Sequence, residues 1–153
     1  MRITDDPLPS DVAQLRWMWT REIDPTVPQW AGNAEFSAAV DRWMTHPDRT
    51  VWIASEYSTA AGMVCMTEHT RMPRPRAAFS SRWGYLGHLY VRPEFRLRGI
   101  GYRLLVNTVQ IAEQRGYSKV MLSPTPQSIP VYLRAGFTLD NDTMILTMET
   151  GAR

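Results

Sequence analysis

With 153 residues, 44% hydrophobic and 21% charged, the chain has the size and composition of one globular domain, and no apolar run approaches the roughly 18 residues of a membrane span. A net charge of +2 argues against a general nucleic-acid binder. One cysteine rules out an internal disulfide framework, and the scattered His46, His69 and His88 offer no metal-ligand spacing.

No metal is therefore expected. The segment Met1 to Pro7 lacks the apolar core of an export signal, so the expected location is the cytoplasm. Cys65 falls in the apolar run Gly62-Met63-Val64-Cys65-Met66 and reads as a buried small hydrophobe rather than a nucleophile.

Following a short opening strand, Ser10 or Asp11 can cap a helix through about Ile23, with Val12, Leu15, Trp19 and Ile23 at helical spacing and Pro25 and Pro28 beyond it. Asn33 is a second N-cap, opening a helix through Thr45 with Phe36, Val40, Trp43 and Met44 on its apolar side. His46-Pro47 closes it. Thr50 to Glu56 alternates as a strand, Tyr57 to Ala60 turns, and Ala61 to about Thr70 returns as the hairpin partner. Met72-Pro73-Arg74-Pro75-Arg76 cannot lie in a central strand and is a loop. Tyr85 to Val91 is a strand, Arg92 to Arg98 a turn, and Gly99 to Arg115 an amphipathic helix ended by Gly116. Lys119 to Leu122 is a short buried strand, Ser123-Pro124-Thr125-Pro126 a loop, and Ser128 to Ala135 a brief helix stopped by Gly136. Thr138-Leu139 and Thr143 to Met148 read as a final hairpin turned at Asn141-Asp142. The order β, α, α, β, β, β, α, β, α, β, β describes a single α+β domain over residues 1–153, with helices on both faces of a sheet.

Charge is uneven along this order. Residues 1 to 70 hold five Arg against ten acids, residues 71 to 103 eight Arg against one Glu, and the remainder balances at four each. A surface collecting Arg71, Arg74, Arg76, Arg82, Arg92, Arg96, Arg98 and Arg103 would attract a polyanion, because guanidinium binds phosphate bidentately at any working pH. A strand ending at Val91, an Arg-rich turn and two glycines opening a helix meet one physical requirement. Unpaired N–H groups and a partial positive charge sit at a helix N-terminus, and glycines let a pyrophosphate approach them. Gly99-Ile100-Gly101 lacks the third glycine of a dinucleotide fingerprint, and no Gly-Lys-Ser/Thr follows.

Arg96-Leu97-Arg98-Gly99-Ile100-Gly101 resembles the signature of the GCN5-related N-acetyltransferase superfamily: Arg or Gln, two residues, Gly, one residue, then Gly or Ala, after the fourth strand. Leu89-Tyr90-Val91-Arg92-Pro93-Glu94 resembles its usual lead-in, and Val131-Tyr132-Leu133-Arg134-Ala135-Gly136-Phe137 its later Tyr-x-x-x-Gly-Phe element. The resemblance implies a mixed, mostly antiparallel central sheet and transfer of an acetyl group from acetyl-CoA to an amine. It implies further that N–H groups from Leu97 through Arg98, Gly99, Ile100 and Gly101 to Tyr102 hold the CoA pyrophosphate, with Arg96 and Arg98 adding charge. Main-chain groups of Leu89 and Val91 would grip the pantetheine arm and acetyl carbonyl, stabilising the tetrahedral intermediate as an oxyanion hole does, and Tyr132 would protonate the departing thiolate. The family's Asn, seven residues before this tyrosine, is Thr125 here; Ser123, Thr125 or Ser128 could supply a hydroxyl instead.

A protonated amine must lose a proton before it attacks. The family often carries Glu or His on the fourth strand, at positions that here are Tyr85 and Gly87. Strand alternation puts Tyr85, Gly87, Leu89 and Val91 on one face and aims His88 at the other, unless a bulge re-aims it. Glu68, His69, His88 and a water chain all remain candidate bases. Trp17, Trp19, Trp30 and Trp43, with Glu22, Asp24 or Glu35, suggest a cationic or aromatic small-molecule amine as acceptor. The alternatives are a non-catalytic acyl-CoA sensor, and an enzyme acting on a protein N-terminus or aminoacyl-tRNA through the Arg71 to Arg82 loop. A membrane is not an expected partner, and a homodimer is one candidate assembly.

Overall fold

Pro9, rather than Ser10 or Asp11, starts the first helix: its fixed φ suits the first turn, Leu8 is the cap residue, and no side chain caps the end. The computed structural model describes residues 1–76, 78, 80–140 and 142–148. Its elements are β1 (Arg2–Thr4), α1 (Pro9–Ile23), α2 (Ala34–Met44), β2 (Arg49–Glu56), β3 (Thr59–Thr70), β4 (Arg82–Val91), a 3-10 turn (Pro93–Phe95), α3 (Ile100–Gln114), β5 (Val120–Met121) and α4 (Ile129–Arg134). Asn33 caps α2 as its sequence suggests, its side-chain oxygen accepting the Phe36 N–H at 2.9 Å. Tyr57 and Ser58, at φ 47° and 67°, form a two-residue mirror-image turn that matches the twist of the β2–β3 hairpin.

The strands lie in the order β1-β2-β3-β4-β5, antiparallel except for the parallel β4–β5 pair. Alternate residues of β2 face opposite cores. Val51 and Ile53 pack under α1 and α2 with Val12, Leu15 and Met63, while Trp52 and Ala54 pack under α3 and α4 with Leu104, Leu105 and Tyr132. Cys65 is buried in the first of these cores, where burial raises its thiol pKa to about 12 and keeps it protonated. Leu104 is wholly buried where α3 meets the sheet. Leu104→Ala is expected to cost about 2–5 kcal/mol of stability in urea unfolding, and a loss well below 1 kcal/mol would show that this interface does not hold the fold.

The final hairpin does not form among the described residues: 138–140 and 142–148 pair with nothing, and Asn141 lies outside them. Met144, Ile145 and Leu146 are 95%, 85% and 82% exposed. A lone hairpin is marginal unless it extends a sheet, and β5, paired over only Val120 and Met121, offers it a very short edge. Among the described residues, no helix is long and apolar enough to cross a membrane.

Candidate active site

β4 is paired on both sides only over its first half. β5 meets it at Gly84 and Tyr85, so from Leu86 onward the edge of β4 that faced β5 has no partner strand among the described residues. On the other side Arg92 N–H donates to Ala61 C=O at 2.8 Å. Strand alternation then turns the main-chain groups of Val91, and of Leu89 two residues earlier, away from β3 and into the gap. One of them is occupied, since Val91 C=O accepts from Arg96 Nε at 2.9 Å.

At the foot of the gap the chain enters α3 through two left-handed residues, Leu97 (φ 63°) and Gly99 (φ 76°). The first backbone donor to resume pairing is Arg103, to Gly99 C=O. The N–H groups of Leu97, Arg98, Gly99, Ile100, Gly101 and Tyr102 have no acceptor among the described residues. The Ile100 side chain is buried in the core, so only its backbone faces the loop. Tyr102 lies under the Arg134 guanidinium, 4.7 Å from its ring centre, which ties α3 to α4. A cradle of this kind, built from main chain, can receive an anion.

Its expected charges divide. Arg96 Nη2 donates to both carboxylate oxygens of Glu22 of α1, at 2.9 Å each, so its charge is paired and it fastens the loop to α1. Arg98 stacks over Phe95 and, among the described residues, has no acid within ion-pair distance, so it adds an unpaired positive charge beside these N–H groups. The eight arginines do not share one surface. Arg71 and Arg74 line a separate cleft of about 480 Å³ with Ser80, Ser118 and Lys119. That cleft lies by the start of β4, whose ten residues span roughly 30 Å to the cradle at its end.

A register slip re-aims the middle of β4. Gly87 pairs with Cys65 and Tyr90 with Met63, so His88 and Leu89 together oppose Val64. His88 takes up the extra residue at φ 57°. Leu86, before the bulge, joins the α3 core, whereas Tyr90, after it, joins the α1 core. The unbroken alternation expected from sequence is therefore corrected before the bulge, where Leu86 lies on the α3 side with Leu89 and Val91; His88 lies opposite Leu89 and Val91, as expected, on the α1–α2 side. There its ring meets Trp19 and Trp43 edge to face at 5.9 and 5.6 Å, one side of it remaining open to solvent. Burial, and secondarily the charge of Arg16, hold its pKa below the ordinary 6.5. Beside it Gly87 leaves open space where a Cβ would stand.

The other candidate bases stay apart from this point. Glu68 pairs with Arg82 at 3.7 Å, and His69 stacks on Trp83 at 4.7 Å, four ladder steps along β3 from Cys65. On the α3 side, Tyr132 is 9% exposed and packs edge-on against Phe137 at 5.8 Å. Burial, with a smaller contribution from Tyr85, raises its pKa, so it holds its proton. Its hydroxyl has no hydrogen-bond partner among the described residues, while Tyr85 donates to Ser123 Oγ at 3.0 Å. Ser128 Oγ donates to Thr125 C=O at 2.9 Å and accepts from Thr125 N–H and Oγ1, closing the turn before α4.

Of the expected acceptor acids, Glu22 is held by Arg96 and by Tyr90 Oη, at 2.6 Å. Asp24 caps its own turn through Thr26 N–H and Oγ1, bonds that lower its pKa, and Glu35 is exposed in the first turn of α2. Trp17, Trp30 and Phe36 pack on one another, with Trp17 Nε1–H donating to Pro28 C=O, and so pin the α1–α2 connection. Sequence reasoning missed Arg16, which lies over Trp19 at 4.8 Å. It also missed Tyr90, stacked on that same indole; the i, i+3 spacing of Arg16 and Trp19 on one helix was the available signal.

The family model described as the acetyltransferase (GNAT) family matches residues 10–137. Among curated proteins no sequence match is found. Solved structures share the fold. A GCN5-related N-acetyltransferase from Ralstonia eutropha JMP134 superposes with TM-score 0.71 at 22% identity, over 96% of each chain. A predicted acetyltransferase from Clostridium acetobutylicum, solved with acetyl-CoA, gives 0.72 at 20% over 95% of each. Glucosamine-6-phosphate N-acetyltransferase from Arabidopsis thaliana gives 0.72 at 15%, over 97% of this chain and 98% of its own. The family match spans most of the sequence and takes in both the cradle and Tyr132, and the chain belongs to the acetyltransferase (GNAT) family.

Proposed function

We propose that this chain is an acetyl-CoA-dependent N-acetyltransferase that moves the acetyl group directly to a primary amine of a small molecule, with His88 as base and Tyr132 as acid. The observation that carries this reading is the run of unpaired N–H groups from Leu97 to Tyr102 at the foot of the gap between β4 and β5. That cradle suits a pyrophosphate, and the free edge of β4 suits an extended amide-bearing arm such as pantetheine. The Val91 and Leu89 main chain then aligns the thioester along β4, Ser128 shapes the turn before α4, and Arg98 adds charge at the phosphates.

The acceptor comes from the α1–α2 side. Its ammonium loses a proton to His88, and the nitrogen lone pair attacks the thioester carbon. The N–C bond forms as the C–S bond breaks, the thiolate takes the Tyr132 proton, and the second proton shed by nitrogen restores the phenol. One proton is released overall.

Titration calorimetry with acetyl-CoA, and thiol release assayed across an amine panel, test this reading. Binding without thiol release from any amine would make the chain a sensor; no binding at all would dismiss the donor assignment. Gly101 refines the test, because a Cβ there meets only Val91 Cγ2 at 3.7 Å. Gly101→Ala is expected to be tolerated, whereas Gly101→Trp fills the cradle and weakens acetyl-CoA binding by at least about tenfold. Unchanged affinity in Gly101→Trp would remove the cradle from the site.

A further inference from the structure

We infer that the acceptor carries a carboxylate as well as its amine, on an apolar or aromatic body of amino-acid size, and that Arg16 receives that carboxylate; the inference rests on the acetyltransferase reading above. Four observations support it. Arg16 is half-buried on α1, its guanidinium over the Trp19 ring at 4.8 Å, and the His88 imidazole meets the same indole at 5.9 Å. One tryptophan thus holds the cation and the base in reach of a single small ligand. Secondly, no carboxylate lies within ion-pair distance of Arg16 among the described residues, and its side-chain acceptor there is the neutral Thr20 Oγ1, at 3.1 Å.

Thirdly, two of the three acids that could attract a second cationic group, Glu22 and Asp24, already have partners, and the third, Glu35, is exposed in the first turn of α2. Glu22 accepts from Arg96 Nη2 and from Tyr90 Oη, and Asp24 accepts from Thr26 N–H and Oγ1 in its own turn. The acceptor side of β4 is therefore electropositive at Arg16, which repels a diamine and attracts an anion. Lastly, Trp43 and Trp19 flank His88, and Gly87 beside it leaves space, so the walls next to the base are aromatic and suit an apolar body. Arg16 also acts on His88 through its charge, and a bound carboxylate would offset that effect on the base.

Matched pairs test this: L-tryptophan against tryptamine, and L-phenylalanine against phenethylamine, each with acetyl-CoA and the product identified by mass. The carboxylate-bearing member is expected to be preferred by at least about tenfold in kcat/KM, chiefly through KM. Arg16→Gln is expected to bring the ratio within each pair close to one, and Arg16→Lys to restore part of it. A purely structural role for Arg16 would leave the ratio unmoved, since both members meet the same fold. Equal turnover of the pairs, preference for the plain amines, a preference retained in Arg16→Gln, or no turnover of either member would each overturn the inference. Acetyl-CoA titration run on the same samples tells the two failures apart: retained donor binding leaves the acetyltransferase reading standing, and lost binding removes it.

Discussion

Replacing His88 with glutamine is expected to lower kcat/KM by about 10²–10⁴-fold while acetyl-CoA affinity holds, the usual worth of a positioned general base. The bulge places the ring between Trp19 and Trp43 on the face from which an acceptor would arrive, without a described partner on either nitrogen. A base must be neutral to accept a proton. Burial and the Arg16 charge both disfavour the imidazolium, so the pKa falls below 6.5 and the ring is neutral at pH 7. Activity should then fall as pH drops through that lowered pKa, giving an acid limb below pH 6.5, and His88→Gln should lack that limb. Removing Arg16 takes away one of the two causes, so in Arg16→Gln the limb should move upward. Retention of both rate and limb in His88→Gln would place the base elsewhere.

What the sequence could show followed from how local each feature is. The cradle is written in consecutive residues, because a strand end, two glycines and a helix start are each short-range signals, and the family signature covers the same stretch. Tyr132 and Phe137 are likewise five residues apart on one turn of chain. His88 was different. Its direction depends on two residues of β4 opposing one of β3, a register set by pairing between distant segments. Gly87 inside a strand was the one local hint of that bulge. Nor could the chain order show that Arg96 meets Glu22, 74 positions away, since an ion pair of that separation is fixed only by the packing of α1 against the sheet. The arginine cluster misled for a simpler reason: residues close in sequence at the two ends of a ten-residue strand are far apart in space.

Tyr132→Phe tests the other half of the proton path and is expected to reduce kcat by about 10²–10⁴-fold. Phenylalanine keeps the ring that fills the space beside Phe137 and removes only a hydroxyl with no described hydrogen-bond partner, so stability should change little. Burial raises the Tyr132 pKa above its ordinary 10, which makes the phenol a poor spontaneous acid. In the proposed role its proton would move only when charge develops on sulfur as the C–S bond breaks, and the stabilisation would be confined to the transition state. An interaction of that kind lowers kcat and kcat/KM together and leaves donor binding untouched. Weaker acetyl-CoA binding with kcat intact would recast Tyr132 as a wall of the pantetheine channel, and unchanged kinetics would remove it from the reaction altogether.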